Sequence, residues 1–113
     1  MTTALDRIIA YKRDEVAALK GETSMGALLA DCKTAPVPRG FAARLTDIAE
    51  AGQAALICEL KRKSPSAGDI LPGADPIAIA QEYEAAGAAC LSILTDYPSF
   101  GGSLEDLRAI RNE

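Results

Sequence analysis

The sequence has 113 residues, 49% of them hydrophobic and 25% charged, which excludes a disordered chain and a coiled coil and allows one ordinary domain. Its net charge of −4 and its lack of a dense Lys/Arg cluster exclude the electrostatic footprint of a nucleic-acid-binding protein. It contains no histidine, so acid–base chemistry would have to use Lys, Glu, Asp, Tyr or Cys, and the commonest metal ligand is missing.

Residues 3–20 are predicted to form an amphipathic helix. Apolar side chains recur there at helical spacing, and Thr3 with Asp6 has the pattern of a capping box. We expect Gly21 to end this helix. Because its polar face mixes both signs of charge, we interpret the apolar stripe as a docking face rather than a membrane-binding surface.

Two shorter helices are predicted before the first strand. One begins at Ser24 and ends before the proline-rich stretch 35–39, and the other, short or broken, covers residues 41–51 and is closed by Gly52. The first of these is expected to bury Met25, Leu28, Leu29 and Cys32. Residues 1–53 are therefore predicted to be a helical segment.

Residues 54–61 are predicted to form a buried strand that carries two charges. Side chains two apart in a strand share a face, so Glu59 and Lys61 lie on one face with Ile57. The opposite, apolar face consists of Leu56, Cys58 and Leu60 and should pack against a helix. Buried charges need partners, so the pair indicates a structural ion pair or a ligand site, and its place at the carboxyl end of the strand favours the ligand site.

The rest of the chain alternates helix and strand. The predicted elements are a polar turn over 62–74, a helix over 76–86 capped by Asp75, a strand over 89–95, a loop over 96–102 and a helix after Ser103. Ser103 with Asp106 has the pattern of a second capping box. The order strand, helix, strand, helix predicts a parallel sheet. Two strands leave both sheet edges unpaired, so we expect residues 54–113 to be part of a larger barrel.

The basic turn Lys61-Arg62-Lys63, followed by Ser64, has the donors that attract phosphate or carboxylate. Taken alone, the triplet is better interpreted as a solvated basic turn. The sequence has no Walker motif and no G-x-G-x-x-G, and without histidine it cannot hold a Ser-His-Asp triad. The stretch Gly101-Gly-Ser103 could bind an anion through the amides of a helix N-terminus, but an ordinary helix cap is the favoured interpretation.

Nothing in the sequence predicts a membrane segment or an export signal. The apolar runs fall far short of the roughly 18 residues of a transmembrane helix, and the N-terminus lacks a secretory pattern. Cys32, Cys58 and Cys90 have neither disulfide nor zinc spacing and are interpreted as small buried hydrophobes. We therefore expect a cytoplasmic protein.

Several stretches resemble the indole-3-glycerol phosphate synthase family. Residues 57–68, Ile-Cys-Glu-Leu-Lys-Arg-Lys-Ser-Pro-Ser-Ala-Gly, are similar to its first-strand signature. Further similarity lies in 7–16, 38–41, 94–96 and 99–107, so essentially the whole chain is covered. The resemblance implies a (β/α)8 TIM barrel, with residues 1–53 as a helical extension covering the barrel and residues 54–113 as its first two β/α units.

The resemblance also implies a reaction of tryptophan biosynthesis without cofactor or metal. The substrate would be 1-(2-carboxyphenylamino)-1-deoxyribulose 5-phosphate, which closes its indole ring with loss of carbon dioxide and water. By position, Lys61 would bind and polarise the substrate near its carboxylate and assist proton transfer, and Glu59 would pair with the catalytic lysines. Ser64 would line the site, and Phe100 would pack against the aromatic ring.

The family's general acid, a lysine on the third strand, and its general base, a later glutamate, have no counterpart in these 113 residues. We therefore expect the chain alone to be inactive. Two other interpretations stay open: a non-catalytic half-barrel that self-associates through open strand edges, and another phosphosugar-binding barrel enzyme that shares the basic turn.

Overall fold

The computed structural model describes residues 1–113 and contains five α-helices and four β-strands. The helices are α1 Ala4–Glu22, α2 Met25–Thr34, α3 Phe41–Glu50, α4 Pro76–Ala85 and α5 Leu104–Asn112. The strands are β1 Ile57–Leu60, β2 Lys63–Ser64, β3 Gly68–Asp69 and β4 Cys90–Ile93. The chain divides into two compact units, Met1–Pro38 and Arg39–Glu113. The strands all lie in the second unit, together with α3.

Helix α1 begins with the predicted capping box. The Thr3 hydroxyl accepts a hydrogen bond from the Asp6 N–H at 3.1 Å, and the Asp6 carboxylate accepts one from the Thr3 N–H at 2.8 Å. The predicted stop at Gly21 is wrong, because the helix continues to Glu22 and is closed by the Thr23 N–H bonding to the Leu19 carbonyl. A single glycine lowers helix propensity without preventing another residue from joining.

Helix α2 begins where the sequence predicts, with the Ser24 hydroxyl accepting a hydrogen bond from the Ala27 N–H at 3.2 Å. The burial predicted for its apolar face is wrong. Met25, Leu28 and Leu29 are 69%, 48% and 58% exposed, and Cys32 is exposed as well. The unit Met1–Pro38 consists of two helices, which cannot enclose both of their apolar stripes.

The second unit is built on a parallel pair of strands, β1 and β4. Glu59 lies opposite Ser92 and Leu60 opposite Ile93 in their register. The buried core consists of Leu60 on β1 and Ala80 on α4, and α4 contacts β1. The predicted parallel sheet and the order strand, helix, strand, helix after the N-terminal helices are confirmed. The predicted apolar face packs only at its carboxyl end: Leu60 is buried, Cys58 is half-buried, and Leu56, which lies before β1, is 52% exposed because few side chains cover a two-stranded sheet.

Three local predictions for this unit are corrected. Residues 41–50 form one continuous helix rather than a broken one. The predicted turn over 62–74 contains an antiparallel hairpin, in which β2 pairs with β3. Cys58 and Cys90 are half-buried rather than buried, since few side chains cover a two-stranded sheet. None of the helices combines the length and the apolar character that crossing a membrane requires.

Helices α4 and α5 begin at their predicted caps. The Asp75 carboxylate accepts a hydrogen bond from the Ile77 N–H at 3.0 Å, and Pro76 occupies the first helical position. The Ser103 hydroxyl accepts one from the Asp106 N–H at 3.1 Å. The second half of the predicted α5 capping box is replaced, because the Asp106 carboxylate pairs with Arg62 instead. A stronger, charged donor has displaced the local one.

Candidate functional site

The carboxyl ends of β1 and β4 bring together Glu59, Lys61 and Phe100. Lys61 Nζ lies 3.2 Å from Glu59 Oε1 and 5.8 Å from the centre of the Phe100 ring. Parallel strands end at the same edge of a sheet, so the segments that follow them meet there. The Lys63 N–H accordingly donates a hydrogen bond to the Phe100 carbonyl at 3.3 Å.

The Glu59 carboxylate is held on both oxygens. Oε1 contacts Lys61, and Oε2 accepts a hydrogen bond from the Ser92 hydroxyl at 3.1 Å. The Glu59 backbone carbonyl accepts a further hydrogen bond from the Tyr83 hydroxyl at 3.3 Å. The contacts with Lys61 and Ser92 orient the carboxylate beside the Lys61 ammonium, and the bond from Tyr83 anchors the Glu59 backbone to α4.

The ion pair is accessible. The side chains of Lys61 and Glu59 are 35% and 44% exposed, so the pair is neither dry nor sealed. An exposed ion pair contributes little to folding stability, about 0–1 kcal/mol, which makes a purely structural role a weak explanation for it. Lys61 instead presents a cation at an open edge, beside the face of an aromatic ring.

Ser64 stands apart from this cluster in its contacts. Its hydroxyl accepts a hydrogen bond from the Ala67 N–H at 3.1 Å and lies 3.3 Å from the Ser66 hydroxyl. Ser64 therefore organises the β2–β3 hairpin, and its side chain is half-buried. Of the four predicted site residues, Lys61 lies beside both Glu59 and Phe100, and Ser64 lies on the adjoining hairpin.

The basic triplet is not the solvated turn that its composition favours. Besides the contacts of Lys61, Lys63 Nζ lies 5.9 Å from the centre of the Tyr97 ring, and Arg62 forms an ion pair with Asp106. All three basic side chains are half-buried. The long stems of lysine and arginine pack on apolar surface while their charged ends reach polar partners.

Arg62 donates two hydrogen bonds to the Asp106 carboxylate. Nε lies 2.8 Å from Oδ2 and Nη2 lies 2.9 Å from Oδ1, which is the side-on arrangement that the guanidinium favours. The hydrogen bonds from Arg62 hold the pKa of the Asp106 carboxyl below its usual value, and Asp106 raises the pKa of Arg62. Both groups therefore stay charged at neutral pH.

The loop over 96–102, which carries Phe100, is tightly built. The Asp96 carboxylate accepts a hydrogen bond from the Ser99 N–H, and the Asp96 carbonyl accepts one from the Gly102 N–H, each at 2.9 Å. Gly102 is buried, and a Cβ added there would overlap the carbonyl oxygen of Leu94. The backbone of this loop thus has one narrow route from β4 to α5.

Three residues that contact the cluster were not predicted to do so: Ser92, Tyr83 and Lys63, of which only Lys63 had been singled out, as part of the basic turn. Ser92 could have been found from the sequence. It is a polar residue in an otherwise apolar strand, and the parallel pairing of β1 with β4 places it opposite Glu59. Tyr83 and Lys63 carry no such signal, since their contacts depend on how α4 and the loop over 96–102 pack against the strand ends.

Comparison with known proteins identifies the family of this chain. The family model described as indole-3-glycerol phosphate synthase matches residues 5–113. A protein named indole-3-glycerol phosphate synthase from Hyphomonas neptunium is 66% identical over 111 residues, which make up 98% of this chain and 42% of that protein. Similar proteins with the same name occur in Rhizorhabdus wittichii, with 51% identity over 90% of this chain and 39% of that protein, and in Rhodospirillum rubrum, with 45% identity over 98% of this chain and 42% of that protein. The chain thus spans about 40% of the length of these relatives.

Proposed function

The chain belongs to the indole-3-glycerol phosphate synthase family of (β/α)8 barrels, and we propose that it supplies the first part of the active site for the ring closure named above. Its β1, α4, β4 and α5 correspond to the first two β/α units of such a barrel. The proposed substrate carries a carboxylate on an aromatic ring at one end and a sugar phosphate at the other. We place the enzyme in the cytoplasm and propose that its reaction needs no cofactor or metal.

The proposal rests on one observation, the position of Lys61 between Glu59 and Phe100. A cation beside an aromatic face complements a ligand whose carboxylate is attached to an aromatic ring. In this proposal Lys61 binds that carboxylate and Phe100 packs against the ring. Ser64, on the adjoining hairpin, lines the same site.

The reaction makes two demands on acids and bases. The sugar carbonyl oxygen must receive a proton while the aromatic carbon attacks the carbonyl carbon. In the final step an acid must protonate the hydroxyl so that it leaves as water, and a base must take a proton from the newly formed ring. Carbon dioxide is lost between the two steps. Lys61 polarises the substrate and assists proton transfer, whereas Glu59 holds the ammonium in place.

The principal general acid and base of the family lie on later strands, which have no counterpart in this chain. We therefore propose that the 113 residues bind one end of the substrate but do not turn it over alone. Positioned general acids and bases typically contribute about 10²–10⁴-fold to a rate, so their absence is decisive.

The first test is fluorescence of the indole product after the substrate is added. Three samples are compared: the chain alone, the chain with the separately expressed C-terminal remainder of the Hyphomonas neptunium relative, and a chimera in which residues 1–113 replace the matching part of that relative. We expect product from the chimera and none from the chain alone. A silent chimera that is folded by circular dichroism would refute the proposed function, and product from the chain alone would refute its inactivity.

A further inference from the structure

The ion pair of Arg62 and Asp106 has no task in the proposed function, yet it lies one residue from Lys61. It joins side chains 44 positions apart, on the turn after β1 and on the first turn of α5. Arg62 also lies 3.5 Å from the Ala74 carbonyl, and its own carbonyl accepts a hydrogen bond from the Ile70 N–H at 3.0 Å. The residue thus fixes the turn over 62–74 and attaches it to α5.

The chain contains its own comparison for Asp106. Asp6 and Asp106 each lie three residues after a hydroxyl cap, Thr3 and Ser103. The Asp6 carboxylate returns to the Thr3 N–H at 2.8 Å and completes its capping box. The Asp106 carboxylate instead gives both oxygens to Arg62. Sequence-local capping would therefore have kept Asp106 on Ser103, and the observed geometry gives up that contact for one between α5 and the turn after β1.

The ion pair closes a ring of contacts around the candidate site. The contacts run from Arg62 to Asp106 and then along the chain from the capped start of α5 back to Phe100. They close where the Phe100 side chain lies beside Lys61, which precedes Arg62 in the chain. The hydrogen bond from the Lys63 N–H to the Phe100 carbonyl crosses this ring. Breaking the Arg62–Asp106 ion pair opens this ring of contacts without altering the side chains of Lys61 or Phe100.

We propose that Arg62 and Asp106 are positioning residues that hold the Lys61 ammonium against the Phe100 ring. Arg62 touches no part of the Glu59, Lys61 and Phe100 cluster through its guanidinium, so it acts through the turn that carries Lys61. The use of Lys61 for substrate binding rests on the proposed function, but the placement of Lys61 on the ring does not and can be measured without substrate.

The test uses the ring-current shift that an aromatic face imposes on protons held above it. The Hε protons of Lys61 are followed by NMR in the unvaried 113-residue chain and in Asp106→Asn, Arg62→Gln and the double variant. The matched control is Glu105→Gln, which removes the same charge from the same turn of α5 without touching Arg62. Phe100→Leu gives the chemical shift of the Lys61 Hε protons in the absence of the aromatic ring.

We expect an upfield Lys61 signal in the unvaried chain and in Glu105→Gln. In Asp106→Asn, Arg62→Gln and the double variant it should move by the same amount toward the Phe100→Leu position, because either single change already breaks the pair. Amide signals of α5 report that the helix persists. An unshifted Lys61 signal in the unvaried chain, an equal signal in Asp106→Asn and Glu105→Gln, or loss of α5 in Asp106→Asn would each overturn the proposal. Since no substrate is present, a failure here is separate from a failure of the proposed function.

Discussion

Lys61 is the residue on which the proposed chemistry depends most. In the chimera with the Hyphomonas neptunium relative, we expect Lys61→Ala to lower turnover by about 10²–10⁴-fold, since the change removes the cation that we propose binds and polarises the substrate. The fold should persist, because the Lys61–Glu59 pair is accessible and contributes little to stability. Indole fluorescence gives the rate and circular dichroism the fold. Lys33→Ala, which removes a lysine from the last turn of α2, is the control. Near-normal turnover of Lys61→Ala would return the pair to a structural role.

A substitution at Gly102 tests whether the backbone of the loop over 96–102 leaves no space for a side chain at this position. In the 113-residue chain, Gly102→Ala should lower the free energy of unfolding by roughly 1–3 kcal/mol, because the added methyl group would overlap the Leu94 carbonyl. Gly21→Ala is the matched control, since it places the same methyl group in a helix with nothing within 4 Å. That change should raise stability by roughly 0.5–1 kcal/mol. Urea denaturation followed by circular dichroism measures both, and equal stability of the two variants would contradict the geometry.

The two aspartates at the third positions of α1 and α5 make a matched pair for titration. Hydrogen bonds lower the pKa of both, from Thr3 for Asp6 and from Arg62 for Asp106. A carboxyl whose folded pKa is depressed contributes stability above its unfolded value, about 3.9, and loses it as the pH falls through the folded pKa. The ion pair should therefore be intact at neutral pH and should open only in acid.

Carboxyl NMR titration of the chain and of Arg62→Gln checks this expectation. The substitution should bring the pKa of Asp106 back toward the ordinary value, because its largest cause is removed, while the pKa of Asp6 stays low. An Asp106 pKa that does not change in Arg62→Gln would show that the helix terminus alone, through its free N–H groups, accounts for the depression.

Sequence predicts best where the cause is local. The caps Thr3, Ser24, Asp75 and Ser103 locate the starts of four helices because a hydroxyl or carboxylate bonds an N–H only two or three residues away. The end of α1 and the β2–β3 hairpin were missed, since a glycine weakens a helix without forbidding it and two-residue strands have no period to detect. For the site, the period of two placed Glu59 and Lys61 on one face.

Contacts between distant segments lie beyond such rules. The partner of Arg62 is 44 residues away, and the same spacing that closes a capping box at Asp6 predicts the wrong contact for Asp106. The burial of the α2 side chains also depends on what covers them, and in this chain they stay exposed. Local sequence thus predicted where the charges lie but not which tertiary contacts hold them.

At the scale of the whole molecule, the outer edges of strands β1 and β4 are unpaired, whereas a closed barrel pairs every strand edge. Strands β1 and β4 pair only with each other, so one edge of each has no neighbouring strand, and the buried core consists of Leu60 and Ala80. Unpaired edges favour pairing with another chain. We therefore expect the isolated chain to self-associate as its concentration rises, which sedimentation velocity would detect as an increasing sedimentation coefficient.

A charged substitution on β1 distinguishes pairing at the strand edge from nonspecific association through exposed apolar side chains. Ile57, 52% exposed on β1, is replaced by lysine, which edge strands use to resist pairing. The control is Leu71→Lys, which adds the same charge at a 62% exposed position outside the strands. We expect Ile57→Lys to weaken association and Leu71→Lys to leave it unchanged. If both variants weaken it equally, association runs through exposed apolar side chains at large. Suppression by the C-terminal remainder of the Hyphomonas neptunium relative would instead indicate that strands of that remainder occupy these same edges.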